Sequence, residues 1–86
     1  MRVLRTPDFE RALHKLHART RSLCEKQLAI LAADWRDPRL HLKKLRVPYE
    51  GIYSFRITRT YRGLFYFAIE DSIIVFDADH RKDVYR

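Results

Sequence analysis

Positive side chains that could hold a phosphate are concentrated in one part of this sequence. Between Arg39 and Arg62, 24 residues include seven lysines and arginines but a single acid, Glu50, so this stretch carries +6 of the formal charge of +7. Ordinary protein surfaces intersperse both signs of charge. The concentration therefore predicts a polyanion or a strongly acidic protein as partner. The alternative is a solvated basic surface that has no partner.

The other reactive side chains give weaker chemical signals. His14 and His17 have a spacing that suits a metal on a helix, but no carboxylate or cysteine pattern completes a site, so we expect neither a metal nor a cofactor. Cys24 is the only cysteine and lies in an apolar stretch, which predicts a buried thiol in a reducing compartment. His80, like any histidine, could act as an acid or a base near neutral pH.

Local signals at the N-terminus predict a strand followed by two helices. Arg2–Arg5 is a strand candidate, and Thr6 followed by Pro7 is typical of a helix start. Apolar residues at helical spacing continue this first helix. Ser22 with Glu25 three residues later has the pattern of a capping box, which would open the second helix.

The second half of the chain changes to the period of strands. The second helix is expected to continue through Trp35 and to end before Pro38, since the residue before proline avoids helical geometry. Apolar and polar side chains then alternate over residues 53–58, which predicts a strand with one polar face. Residues 64–69 and 73–76 complete an antiparallel meander. The expected fold is α+β, of order β-α-α-β-β-β, with a helical hairpin packed on one face of a mainly antiparallel four-stranded sheet.

Length and composition limit the class of protein. The 86 residues, 47% of them hydrophobic, suffice for one packed core, so we expect a single domain over residues 1–86. No segment approaches the ~20 apolar residues of a membrane span, and the N-terminus lacks the apolar run of a signal peptide. We therefore expect a soluble, cytoplasmic protein that does not bind membranes.

An ordered set of short motifs connects the chain to a known family. The motifs are residues 42–45 (Leu-Lys-Lys-Leu), 53–57 (Tyr-Ser-Phe-Arg-Ile), 61–62 (Tyr-Arg) and 80–85 (His-Arg-Lys-Asp-Val-Tyr). In order and spacing they resemble the RelE branch of the RelE/ParE toxin superfamily. The resemblance implies the toxin of a type II toxin–antitoxin system, an endoribonuclease that cleaves messenger RNA without a metal, commonly in the ribosomal A site. It implies a cognate antitoxin and mRNA, with or without the ribosome, as partners, and no small-molecule substrate.

The resemblance also implies roles for individual residues. Arg62 matches the arginine that contacts the scissile phosphate, and Arg81 matches one implicated in charge stabilisation or leaving-group protonation. Tyr85 matches the proposed general base, although a phenol is a poor base at neutral pH unless nearby arginines lower its pKa. His80 offers another acid or base. The residues expected to hold the RNA backbone are Lys43, Lys44, Arg46 and Arg56.

Some departures from the family pattern bear on these roles. Asp79 stands where the family often has a glycine before His80, and Arg46 stands where another glycine is common. Glu50 lies too near the next strand to match the glutamate base of YoeB-like members. Two alternatives stay open. One is a ParE-like toxin that poisons DNA gyrase without nuclease chemistry, and the other is an inactive member that binds RNA or antitoxin.

Overall fold

Five strands form one mixed sheet, and two helices pack against it. The structure is a computed structural model that describes residues 1–80. Its elements are, in order, β1 (Arg2–Arg5), α1 (Pro7–His14), α2 (Ala18–Ala33), a 3-10 helix (Pro38–Leu40), β2 (Lys43–Lys44), β3 (Ile52–Arg56), β4 (Tyr61–Ala68) and β5 (Ser72–His80). The strand order across the sheet is β1-β5-β4-β3-β2. β1 is parallel to β5, and all other neighbouring strands are antiparallel.

This architecture confirms the predicted α+β class and the helical hairpin on a mainly antiparallel sheet. The strand count differs from the expected four, because residues 43–44 form a short fifth strand. Lys43 pairs with Ser54, and Lys44 pairs with Tyr53. A two-residue strand is too short to show alternation, and lysine is depleted in strands, so the pattern does not reveal it.

The first helix begins where the sequence predicts. Thr6 is extended, and its hydroxyl oxygen accepts a hydrogen bond from the Phe9 N–H at 3.1 Å, while Pro7 takes the first helical position. The Thr6 N–H also donates to the carbonyl oxygen of Val75 at 3.0 Å. Phe9 and Leu13 are buried in the core. The cap of α1 is thus bonded to β5, which sets where the helix leaves the sheet.

The second helix begins earlier than predicted. Ser22 lies inside α2, so the prediction that it caps this helix is wrong. His17 is the N-cap, and its Nδ1 accepts a hydrogen bond from the Arg19 N–H at 3.2 Å. Glu25, the other member of the predicted capping box, accepts hydrogen bonds from Arg5. Histidine is outside the usual set of N-cap residues, so the sequence pattern favours the later serine.

The second helix also ends earlier than predicted. It stops at Ala33, because Asp34 is extended, and does not reach Pro38, the residue expected to end it. Trp35 therefore lies beyond the helix. Its ring meets that of Phe67 edge to face, with 5.0 Å between centroids. The tryptophan thus covers the apolar side of β4 from a loop.

One arginine ties β1 to both helices. Arg5 donates from Nη1 and Nη2 to the Glu25 carboxylate of α2 at 2.7 and 2.8 Å, and from Nε to Glu10 of α1 at 2.5 Å. Its guanidinium group lies over the Phe9 ring, 5.4 Å from the centroid. The hydrogen bond from Arg5 lowers the pKa of Glu25. Charge as well as packing therefore fixes the helical hairpin to the sheet.

The two faces of the sheet carry different side chains. The face toward the helices forms the core, and its fully buried members include Phe55, Phe65, Ile73 and Val75. The opposite face, which we call the distal face, carries Arg2, Leu4, Lys43, Ile52, Ser54, Arg56, Arg62, Leu64, Tyr66, Ser72, Ile74 and Asp79. Tyr66, in the middle of this face, is 42% exposed. Chemistry that needs access to solvent can therefore take place on the distal face.

Gly63 of β4 leaves room for an aromatic ring in the core. It pairs with Phe55 of β3, and a Cβ at Gly63 would overlap Cε1 and Cζ of that ring. Gly63→Ala should therefore lower the free energy of unfolding by about 1–3 kcal/mol, as measured by urea denaturation. In a Phe55→Leu background the same change should cost less, since the ring is gone. Equal costs in the two backgrounds would contradict this packing.

Candidate functional site

Arg62 is a buried charge on the distal face. It is the second residue of β4 and pairs with Arg56 of β3 on one side and Asp79 of β5 on the other. Only 3% of its surface is exposed. Directly paired residues project from the same sheet face, so these three side chains share the distal face. A cation that has lost its water in this way must find acceptors within the protein.

Hydrogen bonds hold the Arg62 guanidinium group across the neighbouring strand. Its Nε donates to Oγ of Ser54 at 2.9 Å. Its Nη2 donates to the carbonyl oxygen of His41 and to that of Ser54, the latter at 3.4 Å. The side chain therefore reaches from β4 across β3 to the segment that leads into β2. Among residues 1–80, no buried polar side-chain atom lacks a hydrogen-bond partner.

Ser54 is the residue of this site that the sequence analysis misses. Its place in the alternating run correctly predicts the polar face of β3. A side chain on a polar face is expected to be exposed to solvent, but Ser54 is fully buried. The reason is tertiary, because the side chain of Arg62 comes from the next strand and bonds to it. Nothing in the sequence around Ser54 indicates that Arg62, eight residues later, bonds to it.

The backbone at His41 brings a carbonyl oxygen to Arg62. His41 ends the 3-10 helix in a left-handed conformation, with φ 46° and ψ 51°. Gln27 of α2 supports this segment, since its Nε2 donates to the carbonyl oxygens of Arg39 at 3.0 Å and of Arg56 at 2.8 Å. The second helix thus holds together the 3-10 helix and β3, the two segments that supply acceptors to Arg62.

The four predicted RNA-backbone residues do not share one face. Lys43 pairs with Ser54, so its exposed side chain belongs to the distal face, where the partly buried Arg56 also lies. Lys44 belongs to the opposite face, since neighbours on a strand alternate. Arg46 is exposed in the connection that follows β2. The distal face therefore combines Lys43 and Arg56 with the buried arginine.

The connection between β2 and β3 carries an exposed aromatic side chain. Leu45 is buried and anchors the connection. The Tyr49 N–H donates to the Arg46 carbonyl oxygen at 2.8 Å, closing a turn that contains the cis Val47–Pro48 bond. Val47 is 75% exposed and Tyr49 42% exposed. An arginine and a tyrosine thus flank the same exposed turn.

His80, the last residue of β5, lies on the face opposite Arg62. It pairs with Tyr61, whose ring packs against the core and lies 5.6 Å from the imidazole, centroid to centroid. A β-bulge opposite Leu64 and Phe65 causes this arrangement. One extra residue in β5 reverses which side chains face the core from that point on. The structure therefore does not bring Arg62 and His80 to one face.

Two predicted catalytic residues, Arg81 and Tyr85, lie outside the described residues, and their roles stay predictions.

Within residues 1–80, no three side chains of His, Cys, Asp or Glu come together so that they could hold a metal. No helix in the same part of the chain is long and apolar enough to cross a membrane. Cys24 is buried as predicted, and burial raises the pKa of its thiol to about 12.

Comparison with known proteins identifies the family. Neither protein-family models nor curated protein sequences match this chain. Among solved structures, the toxin–antitoxin complex RelBE2 from Mycobacterium tuberculosis contains a chain with 30% identity. The match covers 93% of this chain and 96% of that chain, with a TM-score of 0.71. This chain belongs to the RelE/ParE toxin superfamily.

Other RelE/ParE structures share the fold at lower identity. A YoeB/ParE toxin from Agrobacterium tumefaciens has 14% identity and a TM-score of 0.79, covering 94% of this chain and 99% of that one. YafQ from E. coli has the same TM-score at 6% identity, with full coverage of both chains. The RelB–RelE complex from Methanococcus jannaschii matches at 22% identity and a TM-score of 0.74, covering 95% and 94%. At such identities the likeness shows the fold alone.

Arg62 and Arg56 form a matched pair for a stability test. Arg62→Ala should lower the free energy of unfolding by about 1–3 kcal/mol, because Ser54 Oγ and the His41 carbonyl oxygen lose a donor in a buried place. Arg56→Ala, on the same face but partly exposed, should change it by no more than about 0.5 kcal/mol. Thermal and urea unfolding of both variants measure the difference. Equal stability of the two variants would contradict the structural part that Arg62 plays.

Proposed function

We propose that this RelE/ParE member is the toxin of a type II toxin–antitoxin system and a metal-independent endoribonuclease that cleaves messenger RNA. The observation that carries the proposal is its 30% identity, over 93% of its length, with a chain of the RelBE2 complex. The charge of +7 and the cations of the distal face are suited to a polyanionic substrate. We further propose that residues 1–86 act as one cytoplasmic domain.

The proposed reaction uses a nucleophile from the RNA itself. A base removes the proton of a ribose 2′-OH, and this oxygen forms a bond to the adjacent phosphorus. The bond from phosphorus to the 5′-oxygen of the next nucleotide breaks, and an acid protonates the departing oxygen. The products are a 2′,3′-cyclic phosphate and a 5′-hydroxyl. Negative charge builds on the phosphoryl oxygens, so fixed cations lower the barrier.

Arginine is suited to supply this charge because it stays protonated and its planar fork matches phosphate oxygens. We assign charge stabilisation to Arg62 and Arg81. We assign the role of base to Tyr85 in preference to His80, because His80 shares its face with Tyr61 and not with Arg62. Lowering of the tyrosine pKa by nearby arginines would then permit catalysis at neutral pH.

The RNA backbone is proposed to follow the basic edge of the sheet. Lys43 and Arg56 face the same side as Arg62, and Arg46 with the exposed Tyr49 extends this surface beyond β2. Stacking of an unpaired base on an aromatic side chain is a common way to hold single-stranded RNA. Lys44, on the other face, is proposed to contribute mainly through its long-range charge.

The proposed protein partner is a cognate antitoxin. Complexes of toxin with antitoxin are found for the relatives from Mycobacterium tuberculosis and Methanococcus jannaschii. An acidic segment of such a partner would complement the charge of +7. Binding by an acidic antitoxin would compete with RNA wherever both use the distal cations, which provides a means of neutralisation.

Controlled expression in bacteria with 5′-end mapping of cellular transcripts tests the proposed reaction. New ends should appear inside coding regions within minutes, and they should carry the 5′-hydroxyl that the reaction leaves. Arg81→Ala is the control and should abolish these ends, since a charge-stabilising arginine contributes about 10²–10³-fold or more to such reactions. Growth arrest with intact transcripts would overturn the nuclease and favour a gyrase-poisoning toxin. Absence of arrest would favour an inactive member.

Binding of single-stranded RNA at increasing salt tests the basic surface. Each phosphate neutralised adds about −0.7 to the slope of log affinity against log salt, so contacts to several cations give a steep fall. Lys43→Gln should reduce the slope by about that amount. Lys44→Gln, one residue away on the opposite face, should reduce it less. An affinity that does not depend on salt would contradict the surface altogether.

A further inference from the structure

Tyr66 is an aromatic side chain in the middle of the distal face that is open to solvent. It lies on β4, between Ile52 of β3 and Ile74 of β5. The residue is 42% exposed, and within residues 1–80 no other aromatic residue of the strands is as exposed. Five other strand aromatics belong to the core or pack against it, namely Tyr53, Phe55, Tyr61, Phe65 and Phe67. Packing of the core therefore does not account for a tyrosine at this place.

The ring of Tyr66 is held by its neighbours. It meets the ring of Phe76 with 5.8 Å between centroids, and the two planes are tilted by 44°. Phe76 is partly buried and is the extra residue of the bulge in β5. Isoleucines flank Tyr66 on both adjacent strands, and a tyrosine side chain has only two χ angles to fix. A ligand that packs on this ring therefore loses little affinity to side-chain ordering.

Charged groups of the distal face are divided between opposite sides of Tyr66. On the side of β3 and β2 lie the cations Arg56 and Lys43. On the side of β5 lie Asp77 and Asp79, each directly paired with a β4 residue of the distal face. The strands β3 and β5 are about 10 Å apart, twice the spacing of neighbouring strands. The face thus changes from cationic to anionic across the tyrosine.

A nucleotide of single-stranded RNA has a matching polarity. Its phosphate is an anion, which the cations of β2 and β3 attract and the carboxylates of β5 repel. Its base is an uncharged ring that projects away from the phosphate, so a nucleotide whose phosphate lies over β3 directs its base toward β4. Aromatic side chains on the open face of a sheet are a common platform for unpaired bases. This arrangement requires no contact between RNA and the buried Arg62.

We propose that Tyr66 forms a base-binding subsite, in which one unpaired base of RNA packs on its ring while the phosphates lie toward β3 and β2. The inference rests on the proposed nuclease function for the identity of the ligand, and it adds how the substrate lies across the sheet. Tyr66 stands outside the motifs that connect the chain to its family. Its role is to bind substrate, not to move protons or to stabilise charge.

Two substitutions at Tyr66 separate its ring from its apolar character. Tyr66→Leu removes the ring and keeps the position apolar, whereas Tyr66→Phe keeps the ring. Leu4→Ala is the matched control, since Leu4 lies in the same cross-strand row, two strands away, and is 40% exposed. Urea unfolding of each variant establishes the conditions under which it is folded.

The binding experiment compares two labelled chains that the protein cannot cleave. One is a single-stranded RNA whose 2′-hydroxyls are methylated, and the other has the same methylated sugar–phosphate chain without bases. The ratio of their affinities measures what the bases contribute. Tyr66→Leu should reduce this ratio by about 5- to 100-fold, the contribution of one base stacked on an aromatic ring. Tyr66→Phe should retain most of it, and Leu4→Ala should leave it unchanged. If methylation itself prevents binding, the KM for unmodified RNA takes its place and should rise by the same factor in Tyr66→Leu, with kcat unchanged.

Salt dependence separates a contact to a base from a contact to a phosphate. Tyr66 carries no charge, so Tyr66→Leu should lower the affinity for RNA and leave the slope of log affinity against log salt unchanged. Arg56→Gln should instead reduce that slope by about 0.7. An equal loss of slope in the two variants would contradict the proposed packing, because the tyrosine would then act through the cations.

A further measurement needs no substitution. The ¹H signals of the Tyr66 ring in wild-type protein should shift when RNA is added, since the ring current of a base packed against it acts on these protons. The chain without bases should shift them much less. Equal shifts with both chains would contradict the subsite.

The possible failures are distinguishable. An affinity ratio that Tyr66→Leu leaves unchanged would overturn the inference, keep the proposed nuclease and leave the apolar row to a protein partner. The expected ratio in a protein that leaves unmodified mRNA uncut would retain the subsite and overturn the nuclease. If wild-type protein neither binds nor cuts RNA, the proposed function fails and this inference fails with it. If Tyr66→Leu does not fold, the Tyr66 signals of the wild-type protein still decide.

Discussion

A guanidinium group that keeps only 3% of its surface in contact with solvent can persist in a folded protein only if protein oxygens replace the lost water. For Arg62, the identified acceptors are a serine hydroxyl and two carbonyl oxygens, drawn from β3 and from the residue that closes the 3-10 helix. Each of these has a structural cost. Ser54 occupies a strand position where a β-branched residue packs better, and His41 adopts a left-handed conformation that disfavours a residue with a side chain.

The same arginine divides the distal face into two chemically different parts. On the side of β2, Lys43 and Arg56 flank it, and the surface is cationic. On the side of β1, the cross-strand row that runs through Ile74 and Tyr66 is apolar. The cations of β2, β3 and β4 therefore offer countercharges to a nucleic-acid backbone, whereas the neighbour of Arg62 on β5 is the acid Asp79. The row through Ile74 and Tyr66 is suited to apolar contacts instead.

What the sequence predicts well in this chain depends on local interactions. The start of α1 is correct because Thr6 and Pro7 act within one turn. The first strand of the meander is correct because alternation is visible over residues 53–58, and the other two because residues 64–69 and 73–76 are short apolar runs. The predicted start of α2 is wrong because His17, an uncommon N-cap residue, caps the helix in place of Ser22. Non-local features are harder to predict. The burial of Ser54 depends on a side chain from another strand.

The position of His80 shows how one irregularity can change a predicted site. From motif order alone, His80 is expected near Arg62, because Arg62 lies near the start of β4 and His80 ends the antiparallel neighbour β5. The bulge at Leu64 and Phe65 adds one residue to β5, and the histidine is turned to the side of Tyr61. The sequence of this one chain carries no signal for such a bulge. The sequence therefore predicts which face a side chain takes more securely on β4 than on β5.

The pairing of β1 with β5 also has a consequence for how the protein is made. Arg2 pairs with Ser72 and Arg5 with Val75. Among the described strands, β1 therefore has one neighbour, β5, which is synthesised after all the others. β1 must wait, unpaired, while both helices and three other strands emerge from the ribosome. Long-range pairing of this kind is slow to form, and domains complete their folding only when all their segments are available. The sheet can therefore be completed only once β5 has been synthesised and pairs with β1.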